Sequence, residues 1–302
     1  MDLITFCASH ISLESRIPLL KNAIESVLNQ LHKTCLFVSI SYNKIELESQ
    51  LETMIAQQCA TNEYIKVYLH PKKQLSQFEH YNFLIERIDP LFYNRTWVMF
   101  MDDDDFSHNL RTTWYHIYKK NKDQSCKSII NPYIVIFKND HNKLPTYSEC
   151  SNALQTGRSN VISSREYVAY CVRLNLLHGF TMILKKHKVL NTPLCDVVFG
   201  SVLYNITNEY HWTEMALWAY AYNQHSSTDR MTKKYGLQYY KRTYSKTLFK
   251  DLATTFKITK WIVRPGYTSI WGDKPSFKSV LVKNMNWVIR ITSCMFLLKK
   301  TI

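Results

Sequence analysis

Glycine is scarce in this chain, with 6 in 302 residues. That scarcity argues against a glycine-rich, phosphate-cradling loop as the main ligand device. The eight cysteines (Cys7, Cys35, Cys59, Cys126, Cys150, Cys171, Cys195 and Cys294) form no Cys-x-x-Cys pair. Their irregular spacing reads as buried thiols in a reducing compartment, not as a disulfide framework. Met1 to His10 is a short apolar strand led by Asp2, unlike the basic start and long apolar run of a secretory signal. No stretch of about 18 uninterrupted apolar residues is available for a membrane-spanning helix. These absences predict a cytoplasmic protein with neither signal peptide nor transmembrane helix.

What is present belongs to a folded protein. Apolar residues make up 46% and charged residues 21%, a balance that a disordered chain does not have. The length suits one large domain, or a catalytic domain with a smaller terminal module. The +14 net charge is unevenly placed: residues 229–302 hold 16 Lys or Arg against Asp229, Asp251 and Asp273. Residues 1–228 are therefore near neutral, and the basic tail points to an anionic partner such as a membrane surface, nucleotide phosphates or nucleic acid.

Short apolar strands alternate with helical periodicity along the first hundred residues. Strands are expected at Leu3–Cys7, Cys35–Ser41, Tyr64–Leu69 and Thr96–Met101, with helices at Leu13–Leu31, Lys44–Cys59 and Leu75–Ile88. This is the pattern of an open, mainly parallel α/β sheet, in which ligands sit beyond the carboxyl ends of the strands. The loops at Ala8–His10, Tyr42–Asn43, His70–Gln74 and Asp102–Asp105 then surround one crevice. Further on, the pattern predicts a helix at His108–Lys120, a strand at Ser128–Phe137, a helix at Glu166–Leu174, a strand at His178–Leu184 and a helix at Glu214–Tyr222. From Ser276 onward an amphipathic helix is expected. It would either lie on an anionic membrane surface, giving peripheral contact, or pack against the body of the protein.

The most informative segment is Val98-Met99-Phe100-Met101-Asp102-Asp103-Asp104-Asp105. Four adjacent carboxylates repel one another, and four at the end of an apolar strand exceed what capping the next helix needs. A divalent cation, Mn²⁺ or Mg²⁺, would account for them, because such ions bind through one or two carboxylates plus phosphate oxygens.

On these residues the chain resembles family 2-like glycosyltransferases of the GT-A fold, whose fourth strand ends in Leu-Asp-x-Asp-Asp. The resemblance covers residues 3 to 230 approximately. It implies a Rossmann-like mixed, mainly parallel sheet flanked by helices, with a basic helical C-terminal extension. Residues 1–125 would form the nucleotide-sugar-binding half, 126–230 the acceptor-binding half and 231–302 the extension. Asp102 and Asp104 become the DxD pair that meets ribose and metal, with Asp103 beside them and Asp105 in support. Cys7, Ala8, Ser9 and His10 would lie at the nucleotide base, and Lys72, Gln77 and His80 at the donor.

Trp212-Thr213-Glu214-Met215-Ala216-Leu217 resembles the family's Glu-Asp-x-x-Leu and makes Glu214 the candidate base, with Asp196 as its substitute. His225 would meet the metal or diphosphate, and His178 is a weaker candidate near the acceptor. The chain departs from the family after the second strand, where Ser41-Tyr42-Asn43 stands in place of an aspartate that reads the base. Tyr42 or Asn43 would then take that task.

The implied reaction moves a sugar, with inversion, from a UDP-, GDP- or dTDP-sugar to a hydroxyl of a glycan, glycoprotein or glycolipid. A sugar nucleotidyltransferase shares this plan but carries a glycine-rich loop after its first strand, which Cys7-Ala8-Ser9-His10 is not. A non-catalytic membrane- or nucleic-acid-binding protein would explain the tail but not the aspartates, and no nucleic-acid-binding motif is visible. A degenerate transferase acting as a scaffold would bind metal without turning over a donor.

Overall fold

The computed structural model describes residues 3–60, 62–120, 127–130, 133–138, 148, 152, 161–163, 167–192, 195–206, 218–222 and 246–259. The first half alternates as the sequence predicts: β1 (Leu3–Ile11), α1 (Ile17–Leu28), β2 (Cys35–Tyr42), α2 (Glu48–Ala60), β3 (Ile65–Pro71), α3 (Gln77–Ile85) and β4 (Trp97–Asp102). There follow β5 (Phe106–Ser107), α4 (Arg111–Lys120), β6 (Ser128–Ile130), β7 (Tyr133–Lys138), β8 (Val161–Ser163) and β9 (Tyr170–Arg173). The last elements are α5 (Leu174–Lys186), α6 (Cys195–Ile206), β10 (Trp218–Tyr222) and α7 (Lys246–Phe256).

The main sheet has the order β3-β2-β1-β4-β9-β6. Strands β3, β2, β1 and β4 run parallel, and β9 is antiparallel to both β4 and β6. A smaller sheet, β5-β10-β7-β8, stands beside it.

Alternation along the strands builds the layers. Ile4, Phe6 and Ala8 of β1, with Val98 and Phe100 of β4, face the cluster under α3, α5, α6 and α7. Cys7 and Ile11, with Met101, face α1 and α2. A strand buried on both faces needs apolar residues at every position, which is why β1 and β4 read as continuous apolar runs. Helix α3 starts at a capping box: the Ser76 hydroxyl accepts from the Glu79 amide, and the Glu79 carboxylate from that of Ser76. The box fixes Gln77 as the first helical residue and sends His80 back over β2.

Four expectations are corrected. His178–Leu184 lies in helix α5, because the preceding Leu174, Leu176 and Leu177 extend its buried positions (with Phe180, Thr181, Ile183 and Leu184) at helical spacing. Tyr167–Ala169 is a single 3₁₀ turn, followed at Tyr170 by strand β9 in place of the expected helix. Aromatic and β-branched side chains, buried between β4 and β6, override the helical signal there. Trp218–Tyr222 is a strand, in keeping with the period-2 pattern Trp-Ala-Tyr-Ala-Tyr; residues 207–217, which include Glu214, lie outside the described residues. The expected strand at Ser128–Phe137 is also divided, into β6 and β7.

Part of the basic extension is built into the body. Leu248, Leu252 and Phe256, spaced four apart on α7, are buried in the main cluster, each contributing about 1.5–3 kcal/mol if fully removed from water. Asp251 on the same helix accepts from Lys186 at 2.7 Å and pairs with His187 at 2.9 Å. The amphipathic segment from Ser276 lies outside the described residues. No described helix is long and apolar enough to cross a membrane, and Cys7, Cys35, Cys59, Cys171 and Cys195 are thiols.

Candidate active site

The acid run forms a turn at the carboxyl end of β4. The Asp105 amide donates to the Asp102 carbonyl at 3.3 Å, which puts Asp103 and Asp104 at the two central positions, where aspartate is at home. Register places Asp102 opposite Ala8 of β1, so the turn opens beside the β1 loop.

Each aspartate has its own surroundings. Asp102 Oδ1 accepts from the Tyr167 hydroxyl and from Gln77 Nε2 at 3.0 Å. Gln77 Nε2 also lies 2.5 Å from the Tyr167 hydroxyl, and Tyr81 stands 3.1 Å from it on the other side. Since the Tyr167 hydrogen is committed to Asp102, Tyr81 donates to Tyr167. The ring of Tyr167 rests on Phe100 at 5.3 Å, so the aromatic core holds the hydroxyl in place.

Burial raises the Asp102 carboxyl from 3.8 to about 8. The charges of Asp104, Asp103 and Asp196 add to this, and the Tyr167 hydrogen bond opposes it. Asp103 turns inward. Its Oδ2 accepts from Ser9 Oγ at 2.5 Å and its Oδ1 from Arg16 Nη2 at 2.6 Å. The same nitrogen reaches Asp104 Oδ2 at 3.4 Å.

Among the described residues, no group of three or more acidic, histidine or cysteine side chains converges as a ready-made metal cage. Mn²⁺ or Mg²⁺ at a nucleotide site does not need one, because phosphate oxygens complete the coordination. The hard oxygens of Asp102 and Asp104 suit such a cation, and the Asp102 carboxyl is raised first by burial and then by its negative neighbours. A bound divalent charge would reverse that shift.

The residues expected at the donor are placed in several ways, and Ala8 is buried in the main cluster. Ser9, Gln77, Asp102, Asp103 and Asp104 meet at the turn, although Ser9 and Asp103 are spent on each other and on Arg16, and Gln77 serves to orient Asp102. His10 of β1 and His80 of α3 both hydrogen-bond Ser41 of β2, with His80 fully buried. Tyr42 and Cys7 are buried in the layer under α1 and α2, so their side chains face away from the crevice and, of the Tyr42–Asn43 pair, only Asn43 is exposed. Lys72 is exposed in the loop after β3, with a left-handed backbone (φ 56°). Asp196 sits in the first turn of α6, near enough for its charge to be felt at Asp102 and Tyr81. The His178 ring lies 4.9 Å from that of Tyr93, tilted by 58°, beside the residues that lead into the start of β4 and away from the turn. Glu214 and His225 lie outside the described residues.

Two residues escape the sequence reading. Tyr167 gives no pattern that announces it. Arg16 is the first cation in the chain, and four clustered acids demand a counter-charge, which is the signal that points to it. Arg16→Ala leaves the 8%-exposed Asp103 with a serine hydroxyl alone, a loss expected to cost the metal-free protein about 3 kcal/mol. Urea denaturation measures it, and a change of less than about 1 kcal/mol, the range of an exposed pair, would mean that the clamp is solvent-screened.

No family model matches the chain, and no curated protein matches its sequence. Among solved structures it is similar to GalNAc-T7 with UDP, GalNAc and Mn²⁺, at 10% identity and a TM-score of 0.51, over 86% of this chain and 55% of that one. It is also similar to S. aureus TarS 1–349 in complex with UDP-GlcNAc (12% identity, TM-score 0.47, 83% of this chain and 71% of that). A third is the mannosyltransferase PcManGT from Pyrobaculum calidifontis in complex with GDP-Man and Mn²⁺ (8%, 0.43, 84% and 69%). At these identities the likeness is one of fold. The chain has the GT-A fold of nucleotide-sugar glycosyltransferases, and it spans just over half the length of the GalNAc-T7 structure.

Proposed function

We propose that the chain is a metal-dependent, inverting glycosyltransferase that moves a sugar from a UDP-, GDP- or dTDP-sugar to an acceptor hydroxyl. The observation that carries this reading is the acid turn at the end of β4: a partly buried carboxylate, held by Gln77 and Tyr167, set among negative neighbours at the mouth of a parallel sheet. Such a group favours a cationic ligand. Asp102 and Asp104 would hold Mn²⁺ or Mg²⁺, which when bound neutralises a departing diphosphate.

The chain's own residues do the rest. Tyr167 and Gln77 fix the direction of the Asp102 carboxylate. Arg16 and Ser9 hold Asp103 back, so that the turn keeps its shape without a ligand. Glu214, or Asp196 in its place, would take the acceptor proton during in-line attack on the anomeric carbon. Asp196 stands at a helix N-terminus, which favours the ionised form that a base requires.

A panel of UDP-, GDP- and dTDP-sugars, each with and without Mn²⁺, tests the reading through thermal stabilisation and donor hydrolysis. At least one donor is expected to raise the melting temperature and be hydrolysed only when metal is present. Stabilisation without hydrolysis, even with acceptors supplied, would make the chain a scaffold. No stabilisation by any donor would remove the donor reading.

A further inference from the structure

Arg16 grips the acid turn unequally. One guanidinium nitrogen, Nη2, donates to Asp103 Oδ1 at 2.6 Å and to Asp104 Oδ2 at 3.4 Å. That nitrogen carries two hydrogens, so a single atom serves both carboxylates. An arginine that clamps one carboxylate firmly spreads two nitrogens over its two oxygens. Arg16 does not: its Nε is buried and has no acceptor among the described residues. The side chains of Arg16, Asp103 and Asp104 are 13%, 11% and 16% exposed, so solvent screens their charges only in part.

The two carboxylates differ in what they can release. Both oxygens of Asp103 are engaged, Oδ1 by Arg16 and Oδ2 by Ser9 Oγ at 2.5 Å. Without Arg16 this buried charge keeps a single hydroxyl donor, which is strongly unfavourable. The Arg16 contact with Asp104 is longer than the roughly 2.7–2.9 Å of a strong charge-assisted hydrogen bond. Giving it up leaves Arg16 its main partner.

The surroundings suit such an exchange. Arg16 closes a 3₁₀ turn, its amide donating to the Leu13 carbonyl at 3.1 Å, and α1 begins at the next residue. Ile17, Leu20 and Ile24 of α1 are buried in the cluster that holds Cys7 and Met101. The backbone of Arg16 is therefore fixed, and the guanidinium is the part that moves. A divalent ion on Asp104 would set two positive charges beside that guanidinium, and like charges in a partly buried site repel. Metal and Arg16 thus compete for one carboxylate.

We propose that Arg16 is the resident counter-cation of the acid turn: it holds Asp103 in every state, shares Asp104 while no metal is bound, and yields Asp104 to an arriving divalent ion. The proposal rests on the reading of Asp102 and Asp104 as metal ligands. It makes Arg16 and Asp103 the pair that sets metal affinity, although neither touches the ion. Asp103 acts through Arg16, by keeping the guanidinium from settling on Asp104.

The test titrates the full chain with Mn²⁺, with and without UDP, and reads free Mn²⁺ from its electron paramagnetic resonance signal. Arg16→Gln is expected to bind Mn²⁺ about tenfold more tightly than the wild type, although it is the less stable protein. Asp103→Asn is expected to bind about three- to tenfold more weakly, because Arg16 then moves fully onto Asp104. The double variant has the net charge of the wild type, and its affinity should return to the wild-type level or above it. Equal or weaker binding by Arg16→Gln overturns the proposal. So does Asp103→Asn binding as tightly as the wild type, or a loss that the double variant keeps, which would make Asp103 itself a ligand.

Should Arg16→Gln fail to fold, the wild-type chain labelled with ¹⁵N-arginine decides. The guanidinium signals of Arg16 should move in step with occupancy by diamagnetic Mg²⁺, and signals that stay fixed while Mg²⁺ binds overturn the proposal. No Mn²⁺ binding by any form, even with UDP, would refute the metal-dependent reading and the proposal together. Binding by the wild type that the variants leave unchanged would refute the proposal alone.

Discussion

Asp104→Ala is expected to remove the Mn²⁺-dependent part of nucleotide binding while leaving the fold in place. Asp104 occupies a central position of the turn and is only partly buried. Its contact with Arg16, at 3.4 Å, is looser than the 2.6 Å contact of Asp103, so Arg16 keeps its main partner in the variant. The structural cost is therefore small. The functional cost is large, because one of two anionic anchors for a cation is gone, and losing a close charge partner costs about 2–5 kcal/mol, or roughly 300-fold in affinity at mid-range. Titration calorimetry of UDP, GDP or dTDP with and without Mn²⁺ measures it, alongside a thermal melt. Retention of metal-dependent binding within about threefold would show that Asp104 does not hold the ion.

The same site predicts a direction with pH. A carboxyl raised to about 8 holds a proton below that value, and a cation that uses Asp102 must displace it. Metal-dependent binding should therefore strengthen as pH rises toward about 8 and level off above it. The sign for folding is the reverse. The folded chain binds this proton more tightly than the unfolded chain, so the metal-free protein loses stability as pH climbs from the unfolded carboxyl value through about 8. Metal binding should suppress that loss.

The acid turn is legible in the sequence because four carboxylates after an apolar strand violate the ordinary economy of charge, and because β1, β2 and β4 carry largely apolar, buried runs that suit a parallel sheet covered on both faces. The partners of the turn are less legible. Tyr167 lies in a segment whose residues mimic a helix, and only the pairing of β9 with β4 and β6 brings its hydroxyl over Asp102. The hydrogen-bonded contacts of His10, His70 and His80 with Ser39 and Ser41 of β2 are invisible in one dimension, since the three histidines come from separate segments and meet the serines through strand register and the capping box of α3. Helix α5 shows the opposite failure. Read from His178 the segment looks like a strand, and only the four residues before it restore the helical period. Local patterns thus specify elements, whereas contacts between elements depend on register, which no single segment contains.

Glu214→Gln should lower sugar transfer by about two to four orders of magnitude, the usual worth of a general base, while donor binding stays unchanged. An amide has nearly the size and shape of the carboxylate but cannot take the acceptor proton, so only the step in which the hydroxyl attacks the anomeric carbon suffers. Trp218, four residues after Glu214 in the sequence, pairs with Ser107, which follows the acid turn by two residues. Asp196 is the rival, since its charge reaches Asp102 from the first turn of α6. The two assignments separate in a pair of variants assayed for donor affinity and for single-turnover transfer. If Glu214 is the base, Glu214→Gln loses transfer at constant affinity. Asp196→Asn then changes mainly metal-dependent binding, because it removes one of the charges that hold the Asp102 carboxyl up. The opposite result, with transfer lost in Asp196→Asn and kept in Glu214→Gln, would assign the proton to Asp196. Loss in neither variant would mean that no carboxylate on either element takes it, and the inverting mechanism would fall.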